Sequence, residues 1–115
     1  MKQLGLKTGY TIGPNTFGKG LSIPHTGTIV INGTARYGSY CVLQCGVNIS
    51  ENAKGGDHIY FSAGAKIMRD TYIADDVIVG ANAVVTKNVM TPNIVVGGIP
   101  AHIISEKGFR NRDLI

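Results

Sequence analysis

The sequence predicts an all-β chain wound into a stack of triangular coils, each coil built from three six-residue units. Three observations predict it. First, 14 Ile and 10 Val stand against 5 Leu in 115 residues, and branching at Cβ suits a pleated, half-buried surface better than a helix. Second, apolar side chains recur every sixth residue, at Ile31, Tyr37, Leu43, Ile49, Gly55, Phe61, Ile67, Ile73, Val79 and Val85. Nine of these ten positions are apolar in a chain that is 43% hydrophobic. Third, a companion row four residues on, from Ala35, Cys41, Val47, Ala53 and Ile59 through Ala65, Thr71, Val77 and Ala83 to Val89, is small or β-branched throughout. A period of two marks an ordinary strand and a spacing of three to four marks a helix, whereas a period of six marks a short repeat that stacks on itself.

In such a coil each unit is a short flat strand. The large side chain points into a prism, and the small companion sits beside a tight corner. Residues just past the main positions are small or polar, as at Asn32, Gly38, Ser50, Gly56, Ser62 and Gly80. Gly and Asn supply corner conformations of positive φ that other residues resist, which gives the 16 glycines a place.

Taken in order, residues 1–10 form a lead-in. It carries Lys2 and Lys7 but no apolar core of the length a secretory signal needs, so a cytoplasmic setting is expected. Residues 11–104 hold the repeats and, at about 18 residues per coil, make about five coils. Residues 105–115 form a C-terminal tail whose Lys107, Arg110 and Arg112 read as a solvated basic cluster. The register breaks twice. Ile23 to Ile31 spans eight residues instead of six, which pushes Pro24, His25, Thr26, Gly27 and Thr28 out of the prism surface as a bulge. The run SENAKGGD from Ser50 to Asp57 is polar and Gly-rich and reads as one extruded loop, with His58 directly after it. Tyr37 reads as interior packing whose hydroxyl must find a partner, and His102 as structural.

Composition excludes several classes. Sixteen glycines without a Gly-X-Y period are not collagen, the apolar fraction is too high for disorder, and no apolar run approaches the roughly 20 residues of a membrane span. Eleven Lys and Arg against 7 acids, without a basic block outside the tail, argue against nucleic acid and for a small polyanionic ligand. Cys41 and Cys45 lie four apart with no second pair and no nearby His to complete a zinc site, so both read as reduced structural thiols.

The segments FGKGLSIPHTGTIVINGTARYG, SAGAKI, VIVGANAVVTKNV and VVGGIPAHII resemble the left-handed parallel β-helix domain of the serine acetyltransferase family. The resemblance runs from about Gly5 to Lys107 and is nearest to the branch found with polysaccharide-biosynthesis enzymes. The six-residue pattern alone specifies only a fold. The bulged His followed by TGT and the terminal G-I-P-A are more specific.

The resemblance implies an acetyl-CoA-dependent O-acetyltransferase that needs no metal, assembled as a homotrimer with sites in the clefts between prisms. Its general base is the bulged His, here His25. An imidazole of pKa near about 6.5 can take the proton of an alcohol as the oxygen attacks a thioester, with backbone N–H groups of Gly-rich corners as oxyanion donors. The positions matching the CoA site are Ala63, Gly64, Ala81 and Asn82, with Lys87, Lys107 and Arg110 as candidates for the CoA phosphates; His58 is the nearest counterpart of the family's acceptor-site His, across a shorter repeat, and Asp57 is placed with it. Two departures bear on the acceptor. The family's Asp partner of the base falls on Thr11, and the Asp that precedes the base, which holds the serine ammonium, is Pro24. A sugar hydroxyl needs no such Asp and is preferred to free serine. Two other readings are a zinc enzyme of the γ-carbonic anhydrase type, for which His25, His58 and His102 are the only histidines, and a non-catalytic trimeric scaffold.

Overall fold

The computed structural model describes residues 10–12, 15–25 and 27–111. It is an all-β, left-handed parallel β-helix with three walls. Wall one stacks β1 (Tyr10–Ile12), β2 (Ile29–Ile31), β4 (Asn48–Ile49), β7 (Lys66–Ile67) and β10 (Val84–Val85) in that order. Wall two stacks β3 (Val42–Leu43), β6 (Tyr60–Phe61), β9 (Ile78–Val79) and β11 (Val95–Gly97), closed at one side by β12 (His102–Ser105), which turns back antiparallel to β11. Wall three pairs β5 (Lys54–Gly55) with β8 (Tyr72–Ile73). Wall one is crossed five times with four complete turns between its first and last strand, so the described residues make about four turns where the sequence predicts about five coils.

On the walls, a recurrent hydrogen bond between coils runs from the N–H of a residue to the carbonyl seventeen positions later, while several corner N–H groups donate nineteen positions back. Val30 to Val47, Asn48 to Ala65 and Lys66 to Ala83 are successive cases at 3.0, 3.0 and 2.8 Å. Both six-residue rows line the interior. Leu43, Phe61, Ile67, Ile73 and Val79 are fully buried, as are Ala35, Ala53, Ala65 and Ala83 of the companion row. Every coil therefore buries its apolar residues against the coils on either side, and no coil has a core of its own.

The expected bulge is present. Ser22 is registered with Val42, twenty residues on, where strands on all three walls from β2 to β10 step by eighteen. The two additional residues are carried by the segment holding His25.

The extruded loop expected at 50–57 is absent, which corrects the sequence reading. Lys54 and Gly55 form β5, Ala53 is fully buried, and the run keeps the eighteen-residue step. The physical reason is Tyr37, one coil away. A Cβ placed on Gly55 would lie 2.6 Å from the Tyr37 ring, so the tyrosine fills the interior space that a residue at 55 would otherwise occupy. Its ring stacks on Phe17 with centroids 5.4 Å apart and meets Phe61 edge-on at 5.2 Å, within the range aromatic pairs favour.

Three further expectations change. The Tyr37 hydroxyl is buried and finds no hydrogen-bond partner among the described residues, and burial pushes its pKa far up. Both cysteines are free thiols, but only Cys41 is a core residue, its thiol pushed up to about 11 mainly by burial; Cys45 is exposed on a corner. The corners themselves rely less on glycine than expected. Asn15, Asn52, Asp70, Asp76, Asn82 and Asn93 take positive φ, as do Tyr40 and His58, against Gly20, Gly27, Gly46, Gly64 and Gly98, so Asn and Asp, which tolerate this region, share the described positions about equally with Gly.

Removing the unpartnered hydroxyl should cost nothing. Tyr37→Phe is expected to leave stability unchanged or raise it by about 1 kcal/mol, whereas Tyr37→Ala, which empties the space beside Gly55, should cost about 3–5 kcal/mol. Urea unfolding of the two variants checks this, and a loss of stability in the Phe variant would mean that the hydroxyl is bonded.

Candidate functional site

Two of the three edges carry residues of interest at their corners. The first edge joins wall two to wall one. Its corners stack as Cys45 and Gly46, Ala63 and Gly64, Ala81 and Asn82. Gly46 N–H donates to Thr28 O at 2.6 Å, Gly64 N–H to Cys45 O at 2.9 Å, and Asn82 N–H to Ala63 O at 2.9 Å. Thr28 ends the bulge, so the segment with exposed His25 sits at the head of this column. Gly27 of the bulge lies so close to Cys45 that a Cβ would collide with the cysteine's own.

At Gly64 the column leaves no room for a side chain. Gly64 has φ 76°, and a Cβ there would run into the Asn82 carboxamide of the next coil. Four residues singled out in the sequence, Ala63, Gly64, Ala81 and Asn82, thus share one edge with the His25 bulge. Lys66 joins them. Its ammonium donates to Gly64 O at 3.1 Å and Gly46 O at 3.4 Å, which lays a cation across the column. Sequence reasoning missed Lys66, although it stands inside the SAGAKI segment; its reach back over the corner depends on packing between coils. The N–H groups of Gly46, Gly64 and Asn82 are spent within the stack, so these three do not supply the oxyanion donors expected of the corners.

The second edge joins wall three to wall two and bears Ser39 and Tyr40, Asp57 and His58, then Asp75 and Asp76. Asp57 Oδ1 accepts from Ser39 N–H at 2.8 Å, and Asp75 Oδ1 accepts from Asp57 N–H at 2.7 Å. Carboxylates step down this edge as a ladder of caps. His58 Nδ1 lies 2.6 Å from Asp76 Oδ1, while Arg110 donates to Asp76 Oδ2 through Nη2 at 2.7 Å and Nε at 3.2 Å. Burial opposes ionisation of Asp76, but hydrogen bonds from His58 and Arg110, with their charges, outweigh it and hold the carboxyl below the usual carboxylate range.

From Gly108 to Arg110 the tail is docked rather than solvated, whereas Lys107 is exposed as expected and Arg112 lies outside the described residues. Phe109, in the 3-10 turn Phe109–Asn111, is buried against Val42, Ile78 and Val95 on the outer face of wall two and stacks on the His58 ring at 3.8 Å. Gly108 crosses so close to the coil that a Cβ would sit 2.5 Å from Asp76 O and Ile94 N. Of the expected phosphate ligands, Arg110 is engaged by Asp76. Lys107 is exposed on the returning tail, and exposed Lys87 lies at the end of the prism in a cleft it shares with His102. His25, His58 and His102 lie on the first edge, the second edge and β12 respectively. No helix among the described residues is long and apolar enough to cross a membrane.

No family model matches the chain. A serine acetyltransferase of Staphylococcus aureus strain Mu50 is 35% identical over 112 residues, covering 90% of this chain and 52% of the relative. Among solved structures, the serine acetyltransferase of Neisseria gonorrhoeae in complex with serine superposes with a TM-score of 0.78 at 27% identity, over 90% of this chain and 46% of that one. The serine acetyltransferase of Brucella abortus strain S19 in complex with coenzyme A gives 0.75 at 27% identity, over 90% and 44%. The chain thus spans about half the length of the relatives it matches, and its resemblance to the serine acetyltransferase β-helix holds across that half.

Because the Asp76 carboxyl is held low, the docking it provides is fully present above the ordinary carboxylate pKa of about 3.9 and is lost as pH falls through its lowered value. Amide exchange at Phe109 and Arg110, compared with wall-one amides of β7, should stay protected down to about pH 4 and open first below it. Selective protection of these two amides that persists at pH 2 would show that the carboxylate does not hold the tail.

Proposed function

We propose that the chain is an acetyl-CoA-dependent O-acetyltransferase that acts in the cytoplasm on a hydroxyl acceptor, with His25 as general base. One observation carries the reading: the bulge with His25 heads the same edge on which Ala63, Gly64, Ala81 and Asn82 stack. The similarity to serine acetyltransferases, one of them solved with coenzyme A, supports the choice of co-substrate. The small corners leave room for a pantetheine arm along the column. Lys66, Lys87 and Lys107 are assigned to its phosphates in preference to Arg110, which is paired with Asp76.

The chemistry needs no covalent enzyme intermediate. The acceptor hydroxyl oxygen attacks the thioester carbonyl carbon while His25 takes the hydroxyl proton. The tetrahedral intermediate then expels the CoA sulfur, which receives that proton from the imidazolium. A positioned base of this kind contributes about 10²–10⁴ in rate.

For the acceptor, a sugar hydroxyl is the first reading, because Pro24 stands beside the base where an ammonium would need a carboxylate. Free serine is the second, favoured by the similarity to a serine acetyltransferase solved with serine. Asp57 and His58 are assigned to acceptor binding. Within one protomer the His25 and His58 edges border wall two from opposite sides, so a site that uses both is completed by a neighbouring prism. A homotrimer with sites in its clefts meets that requirement.

Thiol release from acetyl-CoA, measured with serine, homoserine and sugar acceptors, tests the reading. His25→Ala should lower turnover by about 10²–10⁴. Unchanged turnover would remove His25 as base, no turnover with any acceptor would favour a scaffold, and turnover with serine alone would overturn the sugar preference. Light scattering should give the mass of three chains; a monomer would contradict the shared cleft.

A further inference from the structure

The tail docks on the residue assigned to the acceptor, and the contact is built with more care than burial of one phenylalanine requires. An ionised carboxylate can only accept, so at 2.6 Å the Nδ1 of His58 must carry the proton it shares with Asp76 Oδ1. The second oxygen of Asp76 is held by two N–H groups of Arg110, which prevents the carboxylate from turning away. The face of the ring is covered by Phe109, with planes 10° apart, which prevents the imidazole from rotating. His58 also sits at φ 58°, so its backbone is fixed by the corner. The Phe109 backbone is tied to the same residue, its N–H donating to Asp76 O at 2.8 Å. A neutral ring held in this way has its lone pair on Nε2, on a side chain that is 38% exposed.

We propose that Asp76, Phe109 and Arg110 are positioning residues for His58, locking its ring in the Nδ1–H tautomer so that Nε2 accepts a hydrogen bond from the substrate hydroxyl. The assignment rests on the acceptor role given to His58 above. It makes the C-terminal turn part of the acceptor site without touching the acceptor. The device resembles the orienting carboxylates of other histidine sites, where the partner sets the tautomer.

Two variants and two measurements test it. Asp76→Asn keeps a side chain that tolerates the positive φ of this corner (60°) but offers an amide that can also donate to Nδ1. Phe109→Leu keeps an apolar plug on wall two and removes the ring stack, and Phe109→Tyr is the conservative control. Nitrogen-15 spectra of the His58 ring at alkaline pH, where the imidazole is neutral, should show protonated Nδ1 in the wild type and in Phe109→Tyr. Both other variants should shift toward the Nε2–H form or to an average of the two. In steady-state kinetics, Asp76→Asn and Phe109→Leu should raise the acceptor KM by about tenfold, with the acetyl-CoA KM within about twofold, and Phe109→Tyr should restore it.

Equal rises in both KM values, or a ring tautomer that neither variant moves, would overturn the proposal. A different result isolates the underlying reading: if the tautomer shifts while His58→Gln leaves the acceptor KM unchanged, orientation by Asp76 stands and the acceptor role of His58 falls.

Discussion

The structure depends on one constraint, that the chain must return to the same wall after eighteen residues. Only then does the N–H at one position meet the carbonyl seventeen residues later, as Asn48 meets Ala65 and Lys66 meets Ala83. The same return places Leu43 beside Phe61 and Phe61 beside Val79, so hydrogen bonding and core packing are satisfied by one register. A side chain in the prism has no room to be wrong by one position, because a shift would turn the interior residue outward. That is why Gly55 can stand in the interior row. The space is already taken by Tyr37 of the preceding coil, and the register is kept at the cost of one missing side chain.

Chemistry is left to the edges. The walls are fixed by pairing and the interior by volume, whereas corners carry side chains that neither requirement dictates. Two edges have been used differently. Along the first, side chains are reduced to Cys, Gly, Ala and Asn beneath the His25 bulge, which leaves a column of small corners. Along the second, Asp57, His58, Asp75 and Asp76 bond from coil to coil, and the returning tail is fastened to them. A two-residue insertion creates the bulge without disturbing the coils beyond it, since the regular step resumes at β2.

Much of this was legible in the sequence where the signal is periodic. The six-residue rows gave the interior and the companion positions, and a step of eight instead of six gave the bulge and its His25. Relations between coils were not legible. SENAKGGD has the composition of a loop, and only the Tyr37 ring, eighteen residues from Gly55, shows why it is a strand. The tail reads as solvated because its partners are Asp76, thirty-four residues from Arg110, and the outer face of wall two. Lys66 was overlooked because its contacts, Gly46 O and Gly64 O, come from two successive coils.

The central claim is that the edge headed by His25 holds CoA, and a titration with CoA followed by backbone amide shifts tests it most directly. The account predicts that the largest shifts cluster at residues 27–28, 45–46, 63–66 and 81–82, a set scattered in sequence and contiguous only along this edge. Shifts centred instead on residues 39–40, 57–58 and 75–76, or no saturable shifts with CoA, would contradict it.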